Sequence, residues 1–270
     1  MSTIAEWIRR HRLIAFFGVA FALSWWAWPL WAAGVDIPPF WAWGPLLSAL
    51  IVSGVDGRRG YRELLARMTR WRVGWRWWAV ALGTPVAVLA VAAVANVTFW
   101  DAPVPDLANL AWAEIGFVFA LRFVDPLNGP LGEEPGWRAY AVPHLQQLWT
   151  PLRSAAILGA LVALWHVPLV TADQLALVGI PVTFAITFVY VWLFNRTGGS
   201  GLMVLVFHVA QGTITYAALG FAGADAARMD WLTGALWALI AIGLVTLDRK
   251  AWRSAPAAAI TTTPVERVPV

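Results

Sequence analysis

Apolar residues in this chain run in long blocks, broken by short polar loops, rather than recurring once per helical turn. Blocks at about 13–33, 39–54, 77–98, 111–128, 152–170, 179–195, 199–219 and 231–247 carry few charges. A helix needs roughly 20 apolar residues to cross the hydrocarbon core of a bilayer. The pattern therefore predicts an all-α, polytopic membrane helix bundle with about eight transmembrane helices. One stretch differs. In residues 61–72, Leu64, Leu65, Met68 and Trp71 share one face and arginines cover much of the rest, which predicts a helix lying in the membrane interface. Residues 251–270 are rich in Ala, Thr, Pro and Val with no clear period, and are expected to form a disordered cytoplasmic tail. Residues 1–250 then form one membrane-embedded domain, with no internal repeat.

Charge sets the orientation. Arg9, Arg10 and Arg12 precede the first block, and Arg58, Arg59, Arg62, Arg67, Arg70, Arg72 and Arg76 follow the second. Asp101 and Asp106 follow the third block without a basic residue, Arg138 and Arg153 follow the fourth, and Arg249, Lys250 and Arg253 follow the last. Positive charge falls mostly on alternate loops, so both termini are expected in the cytoplasm. The first block is longer than the apolar part of a signal peptide, and Trp25, Trp26, Trp28 and Trp31 stand where cleavage needs small residues. The arginine-rich 58–76 loop is expected to touch anionic lipid, and no nucleic-acid partner is expected.

Composition narrows the chemistry. The chain is 60% hydrophobic and 13% charged, against about 25% charged in soluble domains. It has no cysteine, which excludes disulfides, thiol catalysis and Cys-ligated zinc. Its 20 tryptophans often lie near the ends of apolar blocks, where indole favours the membrane–water boundary. Arginine far outnumbers lysine, which points to a GC-rich bacterial genome and a bacterial inner membrane.

Against this background one polar run stands out: Glu133-Glu134-Pro-Gly-Trp-Arg138. Carboxylates at membrane depth are costly and mark function. The Asp125–Pro130 run breaks the preceding helix, and Pro135 suits the first turn of a new one, so the carboxylates are expected at a helix N-terminus. Glu134 and Arg138 are spaced i,i+4 in the favoured order for an ion pair. Glu133 is rotated about 100° away and stays available to take a proton from water. His166 and His208 lie inside later apolar blocks. Gln211 shares the face of His208, where its amide can donate to a developing oxyanion. Trp137 is a candidate substrate contact. Arg122 and Asp125, at i,i+3, are expected to pair. His11 and His144 read as interfacial residues without a role. His-Glu-x-x-His is absent, and the Gly-x-Ser-Gly at 198–201 reads as a turn because no histidine follows on a later helix.

The ordered set Glu133-Glu134-x-x-x-Arg138, Trp165-His166-Val-Pro168, Asn195-Arg-Thr-Gly-Gly-Ser200 and His208 resembles the CPBP family of intramembrane proteases, also called Abi, which includes the CAAX prenyl endopeptidases. The resemblance covers about residues 110–215. It implies a bundle of about eight helices and peptide hydrolysis within the membrane. Glu133 and His166 would activate water, and His208 would help to stabilise the oxyanion. Two positions depart from the family pattern: Val162 where Phe is frequent, and Gly212 where the third motif has Asn. The family also implies a metal. Zinc (Zn2+) held by Glu133, His166 and His208, and direct metal-free action on water, both stay open. The expected function is an intramembrane CAAX-type endopeptidase acting on a membrane-associated peptide or protein. The alternative is a catalytically reduced scaffold or bacteriocin-immunity protein of the same fold, and a transporter is the remaining reading.

Overall fold

The computed structural model describes residues 3–125, 127 and 129–259. All regular structure among them is helical. The chain runs through α1 (Thr3–Arg10), α2 (Arg12–Trp25), α3 (Trp28–Ala32), α4 (Gly44–Gly54), α5 (Arg58–Met68), α6 (Trp75–Trp100), α7 (Trp112–Leu121), α8 (Pro130–Glu134), a π-helical segment (Pro135–Ala141), α9 (Val142–Leu148), α10 (Pro151–Trp165), α11 (Val167–Thr171), α12 (Gly179–Arg196), α13 (Gly201–Thr213), α14 (Gly223–Leu247) and α15 (Arg249–Arg253).

Five segments are long and apolar enough to cross a membrane: Arg12–Ala32, Trp75–Trp100, Pro151–Thr171, Gly179–Arg196 and Gly223–Leu247. Three shorter apolar helices, Gly44–Gly54, Trp112–Leu121 and Gly201–Thr213, fall in the other apolar blocks. Local chemistry limits two of them. The first has Pro45 in its opening turn and ends in the Asp56-Gly57 turn, where Gly57 takes φ 62°. The last begins at Ser200, whose Oγ accepts from Met203 N at 3.1 Å and donates to Arg70 O at 2.6 Å. Ser200 is thus an N-cap rather than a nucleophile.

The helices pack in a connected bundle. α2 lies on α4, α10 on α12, α12 on α14, and α6 on both α13 and α14. α4 also packs against α8 and the π segment. Buried aromatics fill the centre, among them Phe16, Trp137, Trp165, Phe194 and Phe207. A smaller cluster of Ala92, Ala93, Leu219, Phe221 and Met229 joins α6 and α14 at the other end.

The structure moves three expected boundaries. The acidic helix starts at Pro130, not Pro135. Gly129, at φ 83°, turns the chain, and Pro130 takes the first-turn position where no N–H is needed. Pro135 instead opens the π segment. A proline inside a helix removes one ladder bond and crowds the carbonyl four residues earlier, and the wider π turn accommodates both. The amphipathic helix is Arg58–Met68, so residues 69–72 lie beyond it. Leu64 is buried, whereas Leu65 and Trp71 are exposed. Residues 251–253 of the expected tail belong to α15, whose buried Trp252 donates from Nε1 to Leu244 O at 2.9 Å. Residues 260–270 of that tail lie outside the described residues.

A second polar cluster joins α2, α4, α5 and α9. Arg12 makes a bidentate pair with Asp56, at 2.5 and 2.8 Å. His144 is buried rather than interfacial, and its Nδ1–H donates to Tyr140 O at 2.7 Å. Burial pushes the His144 imidazole down to about 4. The charges of Arg12 and Arg67 act in the same direction, against the Tyr140 hydrogen bond and the Glu63 charge.

Candidate active site

Glu133 falls in the first turn of α8, and Glu134 is its last residue. Their neighbours on the π segment are all buried. Gly136 sets how closely this segment approaches α4. A Cβ at 136 would lie only 2.5 Å from the carbonyl carbon of Pro45. The absence of a side chain lets backbone meet backbone there.

Glu134 is fully buried and is the hub. Its Oε1 accepts from Arg138 Nη1 at 3.2 Å and from His208 Nδ1 at 2.7 Å. The carboxylate accepts, so Nδ1 of His208 carries a proton and Nε2 is left for other work. Arg138 also stacks over the ring of Tyr190, with Cζ 4.5 Å from its centroid.

His166 sits where α10 gives way to α11. Its Nδ1 lies 2.8 Å from the Val162 carbonyl, which can only accept. Nδ1 is therefore protonated and Nε2 offers its lone pair. Trp165 packs edge-on to the imidazole at 4.9 Å, and Phe40 stacks at 6.2 Å. Val162 contributes its backbone oxygen, so its smaller side chain does not disturb this hydrogen bond.

Glu133, Arg138, His166, His208, Tyr190 and Gln211 all line one cavity of about 300 Å³. Glu133 is 6% exposed, and its Oε1 lies 3.1 Å from where a Cβ would stand on Gly129. The Gln211 amide oxygen accepts from the Tyr190 hydroxyl, so its NH2 is the remaining donor end. Apolar residues of α6, including Pro85, Val88 and Leu89, close one wall, and Asp230 and Thr233 of α14 bring polar groups to the cavity.

Trp137 does not line this cavity. It is fully buried and its ring packs on Phe16, Phe17 and Trp165, between helices. Asp125 accepts from the backbone N–H of Leu127 at 2.9 Å. Sequence reasoning passed over Tyr190 and Asp230. Tyr190 is a polar group inside a predicted apolar block and Asp230 stands just before another, and those were the signals available.

Among the described residues, no three His, Asp or Glu side chains converge closely enough to hold a metal ion. Glu134, rather than Glu133, touches His208, and it does so through the nitrogen that carries the proton.

Membrane-length helices thus surround a buried Glu–Arg–His cluster and a partly polar cavity. Residues 115–214 match the family model of the Rce1-like, type II CAAX prenyl endopeptidases. The matched stretch contains Glu133, Glu134, Arg138, His166 and His208. No curated protein matches the chain.

Proposed function

We propose that the protein is an intramembrane endopeptidase that hydrolyses one peptide bond in a membrane-associated peptide or lipidated protein tail. The observation that carries this reading is the shared cavity of Glu133, His166 and His208, with both imidazoles held by their Nδ1 atoms. Glu133 takes a proton from water, assisted by Nε2 of His166, while the water oxygen bonds to the scissile carbonyl carbon. His208 and the Gln211 amide face the oxygen that becomes negative. Collapse restores the carbonyl, breaks the C–N bond and returns the proton from Glu133 to the leaving amine. Glu134 orients His208, and Arg138 acts on it through Glu134.

The donor set argues for water activation without zinc. The expected topology has about eight spans, both termini in the cytoplasm and anionic lipid against the Arg58–Arg76 stretch; with a bacterial inner membrane as its location, it belongs to the same reading. The five long and three short apolar helices support it.

The test is cleavage of a quenched-fluorescent peptide library in liposomes by wild type, Glu133→Gln and His208→Ala, each with and without a zinc chelator. Cleavage that survives chelation and disappears in both variants is expected. Activity lost on chelation and restored by zinc would replace the metal-free mechanism with a metal-dependent one. Intact activity in Glu133→Gln would remove the site assignment.

A further inference from the structure

We propose that Asp230 determines specificity, selecting substrates that carry a protonated nitrogen, an ammonium or a guanidinium, about three residues from the bond that is cut. The inference rests on the endopeptidase reading and deepens it. Asp230 is half-buried on α14 and lines the same cavity as Glu133, His166 and His208. It lies outside residues 115–214, so the family match assigns it nothing. The acidic and arginine side chains in the cavity lining are Glu133, Arg138 and Asp230, and Arg138 is held by Glu134. Among the described residues no arginine, lysine or histidine side chain faces Asp230 as a counter-charge. Arg228, the basic residue nearest in sequence, is taken by Asp225 and by the Asn96 amide oxygen at 2.8 Å.

The surroundings of the carboxylate leave room for such a partner. The hydroxyl of Tyr216 is the hydrogen-bonding group beside it. That hydroxyl also stands 2.9 Å from Oγ1 of Thr233. Thr233 donates its own proton to Met229 O at 2.7 Å, so the single phenolic proton is divided between Thr233 and Asp230. An ionised carboxylate accepts at about four lone-pair sites, most of which this arrangement leaves open. A carboxylate at membrane depth without a cation is costly, and on a cavity wall it takes one from a ligand. Helix geometry sets the distance. Asp230, Thr233 and Trp237 are spaced i, i+3, i+7 on the face of α14 that lines the cavity. Trp237 packs on Phe207, the neighbour of His208, with ring centroids 5.6 Å apart. Asp230 stands two helical turns before Trp237, roughly 10 Å along the axis. An extended chain covers roughly 3.3–3.6 Å per residue, so a peptide cut beside His208 brings about its third residue to Asp230.

The test walks a lysine through each position of a quenched-fluorescent peptide on both sides of the scissile bond. Each peptide has a twin with Nε-acetyl-lysine, which keeps the stem and removes the charge, and each is made with a free and with an acetylated N-terminus. Wild type, Asp230→Asn, Asp230→Glu and Asp230→Arg are compared in liposomes, with melting temperatures alongside. Wild type should favour lysine over acetyl-lysine by about 10–100-fold in kcat/KM, at a position about three residues from the cut. The same preference for the free N-terminus at that spacing supports the proposal with the peptide's own amine as the protonated nitrogen. Asp230→Asn should bring the ratio close to unity whatever its overall rate, and Asp230→Glu should retain much of it. Asp230→Arg should reverse it, favouring glutamate over glutamine at the same position. Equal cleavage of charged and neutralised peptides by wild type, or an undiminished ratio in Asp230→Asn, would overturn the proposal while the protease reading stands. In the second case Asp230 would only tether Tyr216. A wild type that cleaves no peptide of the series removes both.

Discussion

Glu134 holds His208 by its Nδ1 at 2.7 Å, and this contact bridges 74 positions of sequence. The same carboxylate oxygen receives Arg138, so one buried atom fixes both the tautomer of the histidine and the place of the arginine. Glu134→Gln keeps the shape and removes the charge. Its kcat should fall about 10²–10⁴-fold with KM little changed, as expected when the carboxylate that orients a catalytic histidine is neutralised. Glu134→Ala also strands Arg138 in the interior, and chemical denaturation should register a loss of about 3–5 kcal/mol. Equal kcat in wild type and Glu134→Gln would separate Glu134 from catalysis.

Tyr190 connects Arg138 to Gln211 through opposite ends of one side chain. Tyr190→Phe removes the hydroxyl and keeps the ring. Activity should drop about tenfold, in line with one lost hydrogen bond, and stability by about 0.5–1.5 kcal/mol. Tyr190→Leu removes the ring as well and should cost about 0.5–2 kcal/mol more. A thermal melt that ranks the two variants in the reverse order would count against the cation–π contact.

Gly136 lies where the π segment meets the backbone of Pro45, whereas Gly83 has nothing within 4 Å of a would-be Cβ. Gly136→Ala should therefore destabilise by at least about 1–3 kcal/mol and reduce activity by shifting the acidic pair. Gly83→Ala, in the interior of α6, should be neutral or stabilising by up to about 1 kcal/mol. Paired denaturation curves decide it, and a harmless Gly136→Ala would mean that the helices can separate without cost.

His144 adds a dependence on pH. Its folded imidazole is pushed down to about 4 from an ordinary 6.5, with Tyr140, Arg12, Arg67, Glu63 and Asp56 around it. Between those values the unfolded chain binds the proton and the folded chain does not. Stability from this group is complete above pH 6.5 and is lost as pH falls towards 4. The melting temperature of wild type should drop between pH 7.5 and 5 more steeply than that of His144→Gln. Parallel slopes for the two proteins would dismiss the buried neutral histidine.

Much of this was legible in the linear chain, for physical reasons. Lipid leaves apolar blocks no choice but helix, so their positions could be read from hydropathy alone. The Glu134–Arg138 pair followed from helical spacing. The bond from Glu134 to His208 did not, because no periodicity links α8 to α13. The burial of Trp137 was not legible, because an aromatic beside a catalytic motif looks the same in sequence whether it faces a cavity or a core. Tyr190 was passed over for the related reason that a tyrosine among Val, Phe and Trp reads as packing. Gly212 read only as a departure from the family pattern, because the Arg122 guanidinium that lies where its Cβ would stand arrives from a different part of the chain.

The π segment Pro135–Ala141 separates two faces of one continuous helix, with the acidic pair before it and Tyr140 and His144 at its far end. Each residue added to or removed from such a segment turns everything downstream by about 100°. Length is therefore constrained here as strictly as identity. A chain one residue shorter between Glu134 and His144 could keep every catalytic side chain, yet it would turn the hydrolytic face and the Arg12–Asp56 anchor out of phase with one another.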